Sequence, residues 1–345
     1  MIPAMNERAF PTRLAAYLRD CLLDAARILG RAAVCLAAGL ILLLLLNFPY
    51  DADASISPAD AAKARAFYAA IYDKEKSAGI SVEEEKYARL ALESAERWHV
   101  KEQVAGLVRT FGLQNKKALD IGSGQGYLQD IVPDYTGLDI TPTVERYYHK
   151  RFVLGSATSM PFANDSFDTI WSVWVLEHVP NPEAALLEIR RVVKDGGVLF
   201  LGPQWDCRPW QADGYDVRPF SDFGPWGKLI KAAIPVRVIL ARFSVPAVRL
   251  TRTAAWRFAG HPSAFRYHRL TPNFEHYWEP DSDAVNGLDF YEMALWFRSR
   301  GDECLSCDSG WSRFTQTGNP LIIRVHKQPQ SLAADNAKPS PFPPQ

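Results

Sequence analysis

Short apolar segments alternate with longer segments of helical periodicity through the middle of the chain. Apolar runs of this length are typical of buried strands, which we predict at Lys117–Ile121, Tyr135–Ile140, Phe152–Leu154, Thr169–Val173 and Val198–Leu201. Helices are predicted over residues 59–111, Pro182–Val193 and 289–301, with two closing strands in residues 303–314 and 320–327. This alternation predicts an α/β fold with a parallel sheet.

The N-terminal region has a different pattern. Residues 1–31 carry apolar side chains at helical spacing, and the run Ala32–Leu46 that follows has no polar side chain. With Asn47 and Phe48 this run reaches roughly 25 Å as a helix, against a hydrocarbon core of about 30 Å. We predict a membrane helix over residues 32–48. A signal peptide cleaved near residues 52–54 and a buried core helix are the alternatives.

A long insertion interrupts the alternation between the fifth strand and the helix at 289–301. It spans about eighty residues, Gln204–Asp283, where connections of this kind usually have two to six, and we predict a substrate cap. Its middle, residues 227–258, mixes basic with apolar residues and has no acid, and Pro235 and Pro246 are predicted to start two short helices. The basic residues are Lys228, Lys231, Arg237, Arg242, Arg249, Arg252 and Arg257.

That composition is typical of a segment that lies on an anionic membrane surface, and a cap with merely solvated arginines is the alternative. The segment is too apolar for a groove that follows phosphates, and the formal net charge of zero gives no global field, so we predict no nucleic-acid partner. The tail, residues 328–345, is rich in proline, serine and alanine and is predicted to be disordered.

Five cysteines are too few for a disulfide scaffold in a chain of 345 residues, and we predict that most are reduced. Cys304 and Cys307 form a C-x-x-C pair, which lacks the second pair or the histidines of a zinc site.

Three glycines follow the first predicted strand in the stretch "ALDIGSGQGYLQD". Gly122, Gly124 and Gly126 allow main chain to approach a ligand closely, and a helix predicted from Gln125 would offer its free N–H groups. The dinucleotide fingerprint requires a third glycine where this chain has Tyr127, so a pyrophosphate site is the weaker interpretation.

This stretch resembles the first motif of the class I S-adenosylmethionine (SAM)-dependent methyltransferases, in the type 11-like group with small-molecule, lipid and sugar substrates. "YTGLDI" and the segment from Gly155 to Pro203 resemble the later motifs in the same order. The resemblance runs from about residue 117 to residue 327 and is interrupted by the insertion. It implies a Rossmann-like, doubly wound sheet of seven strands with an antiparallel last strand, formed by residues 59–203 and 284–327, and SAM as cofactor.

The resemblance also implies the residues that bind the cofactor. Asp139 would accept both ribose hydroxyls, and Ser156 stands where the family often has an aspartate for the adenine amino group. The full predicted set is Asp120, Gly122, Ser123, Gly124, Gly126, Asp139, Ile140, Ser156, Ala157 and Val173.

Some quinone O-methyltransferases of the family bind magnesium through E-x-x-E-H after the fourth strand. In this chain Trp174 replaces the first glutamate and leaves Glu177 and His178. We therefore predict no metal and expect these two residues to organise the loop. The N-P-P-Y type signature of methyltransferases that act on DNA amino groups is absent.

An oxygen acceptor requires a base, and His276 is the favoured candidate because Glu275, Asp281 and Asp283 lie close in sequence. A surface histidine in an aromatic loop is the alternative.

We predict methyl transfer from SAM to an oxygen of a membrane-associated, lipid-linked or amphipathic small molecule. A catalytically silent SAM-binding scaffold and a nicotinamide-dependent sugar-modifying enzyme are the rival hypotheses.

The topology prediction contains a conflict. Arginines precede the apolar run and aspartates follow it, so the positive-inside rule places the N-terminus in the cytoplasm and would export the main domain. A SAM-dependent enzyme is expected in the cytoplasm, so we predict a membrane-associated protein with a cytoplasmic catalytic domain. A helix that lies in the inner leaflet is the alternative.

Overall fold

Seven strands form one sheet, and its strand order places the glycine turn near the centre. The computed structural model describes residues 9–47, 58–71, 82–318 and 320–327. The strands are β1 Ala118–Ile121, β2 Tyr135–Asp139, β3 Arg151–Leu154, β4 Phe167–Val173, β5 Val193–Gly202, β6 His268–Arg269, β7 Asn286–Gly287, β8 Glu303–Cys304 and β9 Leu321–Arg324. The helices are α1 Ala9–Asn47, α2 Pro58–Ile71, α3 Val82–Arg97, α4 Val100–Thr110, α5 Pro182–Val192, α6 Pro225–Ala259 and α7 Phe290–Arg298.

The large sheet has the order β3-β2-β1-β4-β5-β9-β8, while β6 and β7 form a separate pair. Strands β1 to β5 are parallel, and β9 runs antiparallel to β5. The chain builds outward from β1 through β2 and β3, then crosses to β4 and β5 on the other side. The direction of winding therefore reverses beside β1, where ligands bind in sheets of this kind. The predicted Rossmann-like sheet is confirmed.

Both faces of the sheet are covered, which explains why its strands are apolar throughout. On one face Leu119 and Ile170 pack with residues of α5 and α7, and on the other Ala118 and Trp171 pack with residues of α4. Full burial of a side chain such as Leu119 or Ile170 contributes about 1.5–3 kcal/mol of transfer free energy. The sheet is thus a rigid scaffold that positions the loops at its carboxyl edge, where functional residues are expected.

The predicted N-terminal membrane helix is wrong. Within the described ranges, no helix combines the length and the apolar character needed to cross a membrane. The apolar run is only one end of α1, a 39-residue helix that also carries Asp20, Asp24, Arg27 and Arg31. The uninterrupted apolar part is short for a hydrocarbon core of about 30 Å. Phe48, the proposed cleavage region and the tail 328–345 lie outside the described residues.

The middle of the insertion is one helix, not the two short helices predicted. Helix α6 has 35 residues and contains Pro235 and Pro246 in its interior. Each proline removes one intrahelical hydrogen bond, so tertiary contacts must hold the helix together. Arg249 and Arg252 supply such contacts through ion pairs with Asp289 and Glu292 at the start of α7.

The cysteines divide into two groups. Cys304 and Cys307 form a disulfide at β8. Among the described residues Cys21, Cys35 and Cys207 are free thiols, and Cys207 is buried.

Candidate active site

The glycine turn after β1 has a conformation that requires glycine. Gly122, Gly124 and Gly126 have φ angles of 66°, 48° and 72°, in the left-handed region. A Cβ atom on Gly122 would lie 2.2 Å from a methyl carbon of Val175, so side chains are excluded. Residues 122–130 form turns, and the helix predicted from Gln125 is absent there because left-handed glycines interrupt the right-handed helical conformation.

Asp139 closes this turn from the neighbouring strand. Its Oδ2 accepts a hydrogen bond from the Gly124 N–H at 2.9 Å, and its Oδ1 accepts one from the Thr141 N–H at 2.9 Å. Burial raises the pKa of Asp139, although these backbone hydrogen bonds oppose the shift. The carboxylate is therefore fixed at the carboxyl end of β2, and each oxygen keeps a lone pair for a ligand hydroxyl.

Asp120 lies inside β1 and is only 4% exposed. It accepts a hydrogen bond from the Tyr135 hydroxyl at 2.8 Å, and burial raises its pKa to about 7. This hydrogen bond joins β1 to β2 inside the sheet, two residues before the glycine turn. The structure thus gives Asp120 a different setting from that of Asp139.

Tyr148 is part of the site and was missed by the sequence analysis. Its hydroxyl lies 2.6 Å from Ser123 Oγ and 3.0 Å from the Gly124 carbonyl oxygen. A Cβ atom on Gly137 would lie 2.6 Å from the Tyr148 ring. A glycine in the middle of β2 was the available signal, because such a glycine often marks close packing against the strand.

The remaining predicted cofactor residues lie at the same edge of the sheet. Ile140 follows β2 and is half exposed, whereas Ala157, after β3, is buried. The Ser156 hydroxyl lies 2.9 Å from Thr158 Oγ1 and accepts the Thr158 N–H at 3.2 Å. Val173 is the last residue of β4. Because parallel strands end together, the ends of β1, β2, β3 and β4 bring these residues to one edge.

An acid–imidazole cluster with two buried and two partly buried members occupies the next position along that edge. We use this name for Glu177, His178, Asp281 and Asp283. His178 Nε2 lies 3.9 Å from Glu177 Oε1 and 3.8 Å from Asp281 Oδ1, while its Nδ1 lies 3.3 Å from Asp283 Oδ2. Glu177 also accepts the Gln204 N–H at 2.9 Å, and Asp283 accepts the Tyr68 hydroxyl at 2.6 Å.

The protonation states of the cluster are set by burial and by its own charges. Burial raises the pKa of Glu177 and of Asp281. Burial also opposes the charged form of His178, but Asp283, Glu177 and Asp281 outweigh it and raise the pKa of the imidazole. Perturbed pKa values that have specific charged partners are typical of functional sites.

The structure reassigns the acids that the sequence analysis gave to His276. The His276 side chain is exposed, and its ring lies 5.4 Å from the Trp278 ring. Asp281 has a left-handed φ of 62°, and both Asp281 and Asp283 face His178. The fold thus brings Asp281 and Asp283 beside His178, although His276 lies closer to them in sequence.

Among the described residues, three of the five non-glycine residues with a left-handed φ lie near the same edge. Trp174, Asp206 and Asp281 have φ angles of 54°, 58° and 62°, which residues other than glycine rarely adopt. Trp174 directly follows β4, and Asp206 follows β5. Strained conformations of this kind often occur at functional sites, where the surrounding structure holds them.

Together these features define an α/β domain that binds a nucleoside at the switch point of its sheet. Residues 119–201 match the family model described as a methyltransferase domain. This part of the chain is a class I SAM-dependent methyltransferase domain. The bare turn, the anchored Asp139 carboxylate and the Ser156 hydroxyl fit its cofactor, SAM.

The similar proteins match only the central part of the chain. A phthiotriol/phenolphthiotriol dimycocerosates methyltransferase of Mycobacterium leprae is 30% identical over 127 residues, which cover 33% of this chain and 42% of that protein. A sterol 24-C-methyltransferase of Gibberella zeae is 32% identical over 99 residues, covering 24% of this chain and 26% of the enzyme. The chain thus spans less than half the length of these relatives.

A solved structure with a similar region is the SAM-bound amino pentose methyltransferase of Micromonospora echinaspora. It is 22% identical with a TM-score of 0.30, and the match covers 33% of this chain and 56% of that protein.

Proposed function

We propose that this protein transfers the methyl group of SAM to an oxygen atom of a lipid-linked or amphipathic small molecule. The observation that carries the proposal is the position of Asp139, which is fixed between Gly124 and Thr141 at the same sheet edge as the acid–imidazole cluster. One edge would thus hold both a nucleoside site and groups able to act on an acceptor.

The cofactor would be held mainly by main chain. Gly122, Gly124 and Gly126 bring bare backbone to the ligand, Asp139 accepts the ribose hydroxyls, and Ser156 supplies a hydroxyl for the adenine. SAM supplies an electrophilic methyl group when it is bound. The protein's contribution is to align the acceptor with it, which accounts for most of the rate in such displacements.

The acid–imidazole cluster is the proposed site for the acceptor oxygen. A hydroxyl that attacks a methyl group must lose its proton, and carboxylates and an imidazole are the groups that take it. Asp283 and Tyr68 hold His178 from one side, and Glu177 and Asp281 lie on the other. We therefore assign this role to the cluster around His178 in place of the predicted His276.

The names of the relatives and the character of α6 support a lipid-like acceptor. The relatives include methyltransferases whose names give a dimycocerosate lipid or a sterol as substrate. In α6, Trp226, Phe243 and Phe258 are 73%, 76% and 92% exposed, and the helix has no acid and five basic residues besides the two that pair with α7. We propose that α6 lies on an anionic membrane surface, where exposed aromatics insert and basic side chains meet phosphates.

Incubation of the full chain with a membrane lipid extract and isotopically labelled SAM is expected to give a methylated lipid, detected by mass spectrometry. Asp139→Ala should abolish the product and weaken SAM binding by at least about a hundredfold, because two hydrogen bonds to a charged group contribute about 3 kcal/mol or more. The matched control is Asp134→Ala, which removes an exposed aspartate just before β2.

Two outcomes would contradict the proposal in different ways. If SAM binds but no lipid is labelled, the chain is a binding module or has another acceptor. If calorimetry detects no binding of SAM, the proposed function fails altogether.

In a sedimentation assay, the protein is expected to sediment together with vesicles that contain anionic lipid. The double variant Trp226→Ala/Phe243→Ala should bind at least about tenfold more weakly, since each large apolar side chain contributes about 1.5–3 kcal/mol on burial. Trp98→Ala is the matched control, because Trp98 is 64% exposed and lies outside α6. Equal loss in the control, or no sedimentation of the wild type, would refute the membrane assignment.

A further inference from the structure

We propose that Glu177, His178 and Asp281 bind a divalent cation. One ligand atom from each residue lies within 4.8 Å of the others. Glu177 and His178 follow β4, whereas Asp281 comes from the insertion more than a hundred positions further along. The sequence analysis predicted no metal because Trp174 replaces a local carboxylate, but the fold supplies another carboxylate from a distance.

The distances from His178 Nε2 to the two carboxylates are long enough to place one ion between these atoms. His178 Nε2 lies 3.9 Å from Glu177 Oε1 and 3.8 Å from Asp281 Oδ1. Neither distance is short enough for a hydrogen bond. First-row cations bind nitrogen and oxygen ligands at about 2.0–2.2 Å, so one ion would bridge gaps of this size.

Unpaired polar atoms give an independent reason to expect a ligand. Among the described residues, Glu177 Oε2 and Asp283 Oδ1 are buried without a hydrogen-bond partner. The side chains of Glu177 and Asp283 are completely buried. Burial of a carboxylate oxygen without a partner is costly, and a cation would compensate the negative charge of the three carboxylates around His178.

Asp283 orients the imidazole for this role. Its Oδ2 lies 3.3 Å from His178 Nδ1 and accepts the hydroxyl of Tyr68, which belongs to α2. A proton on Nδ1 leaves the lone pair of Nε2 directed toward Glu177 and Asp281. Histidines that bind metals commonly have a carboxylate in this position on the other ring nitrogen.

The donor set favours a first-row transition cation over calcium or magnesium. One imidazole nitrogen and two carboxylates suit ions such as Mn²⁺, Fe²⁺ or Zn²⁺, whereas calcium and magnesium prefer oxygen alone. At the acceptor site such an ion would lower the pKa of a bound hydroxyl, whose proton would then pass to a carboxylate of the cluster and not to His178. That catalytic role rests on the proposed function, while cation binding itself does not.

Calorimetric titration of the full chain with MnCl₂ is expected to show one bound ion, with a matching change in the electron paramagnetic resonance signal of Mn²⁺. Asp281→Asn should abolish binding, because it keeps the shape of the ligand but removes its charge. Asp283→Asn should weaken binding by about ten- to a hundredfold, as is typical when a residue that orients a ligand is changed. Asp213→Asn, an exposed position in the same insertion, should bind like the wild type.

The same preparations are titrated with SAM to separate two kinds of failure. Unchanged SAM binding in Asp281→Asn, together with lost Mn²⁺ binding, supports the cation site and shows that the variant is folded. No Mn²⁺ binding by a wild type that binds SAM overturns the cation site and leaves the proposed function intact. Equal Mn²⁺ binding by Asp281→Asn and Asp213→Asn also overturns it.

Discussion

Gly122→Ala is expected to lower the affinity for SAM at least about tenfold and to reduce the free energy of unfolding by about 3 kcal/mol. A left-handed conformation costs a residue with a side chain about 1–2 kcal/mol, and a clash in a packed region costs about 1–3 kcal/mol. The new Cβ atom would lie 2.2 Å from a methyl carbon of Val175. Relief of this clash moves the turn and displaces the main chain that the ligand contacts.

The matched control is Gly112→Ala. Gly112 has nearly the same φ, +64°, but a Cβ atom there would meet nothing within 4 Å. This variant should lose about 1–2 kcal/mol of stability and keep the affinity of the wild type for SAM. Calorimetry with SAM and urea unfolding would measure both quantities. Equal SAM affinity in the two variants would show that the turn does not form the nucleoside site.

The sheet could be predicted because its strands have a local signal. Both faces are covered, so each strand is a short apolar run, and the glycines and Asp139 mark the ends of two of them. The boundaries of the strands have a weaker local signal than their cores. Strand β5 begins at Val193 rather than at Val198, since the chain enters the sheet directly after α5.

The acid–imidazole cluster could not be predicted in the same way. Its members come from the loop after β4 and from the end of the insertion, and only the folded chain brings them together. Proximity in sequence favoured His276, which lies nearer to Asp281 along the chain than His178 does. The direction of the Asp281 and Asp283 side chains determines which histidine they face. That direction depends on the left-handed backbone at Asp281, which no sequence pattern reveals.

The sequence also does not show which basic residues of the insertion are buried and which are exposed. All seven look alike in sequence, but Arg249 is 1% exposed, whereas Arg242 on the same helix is exposed. Arg249 donates to Asp289 Oδ2 at 2.6 Å and to the carbonyl oxygens of Phe314 and Gln316 at 3.0 and 2.9 Å. This arginine therefore anchors α6 to the core and is not part of a solvent-facing or lipid-facing surface.

Arg249→Met is expected to reduce the free energy of unfolding by about 3–5 kcal/mol, because it leaves Asp289 buried without its charged partner. Arg242→Met should change it by less than about 0.5 kcal/mol, as is usual at exposed positions. Asp289 Oδ1 also caps α7 by accepting the Glu292 N–H at 3.0 Å, so Asn is the appropriate replacement there. The double variant Arg249→Met/Asp289→Asn should regain part of the loss, since it removes the unpaired charge and keeps the cap.

Urea unfolding of the wild type and these three variants at one ionic strength measures the differences. A loss in Arg249→Met no larger than that in Arg242→Met would mean that the buried ion pair does not hold α6 in place.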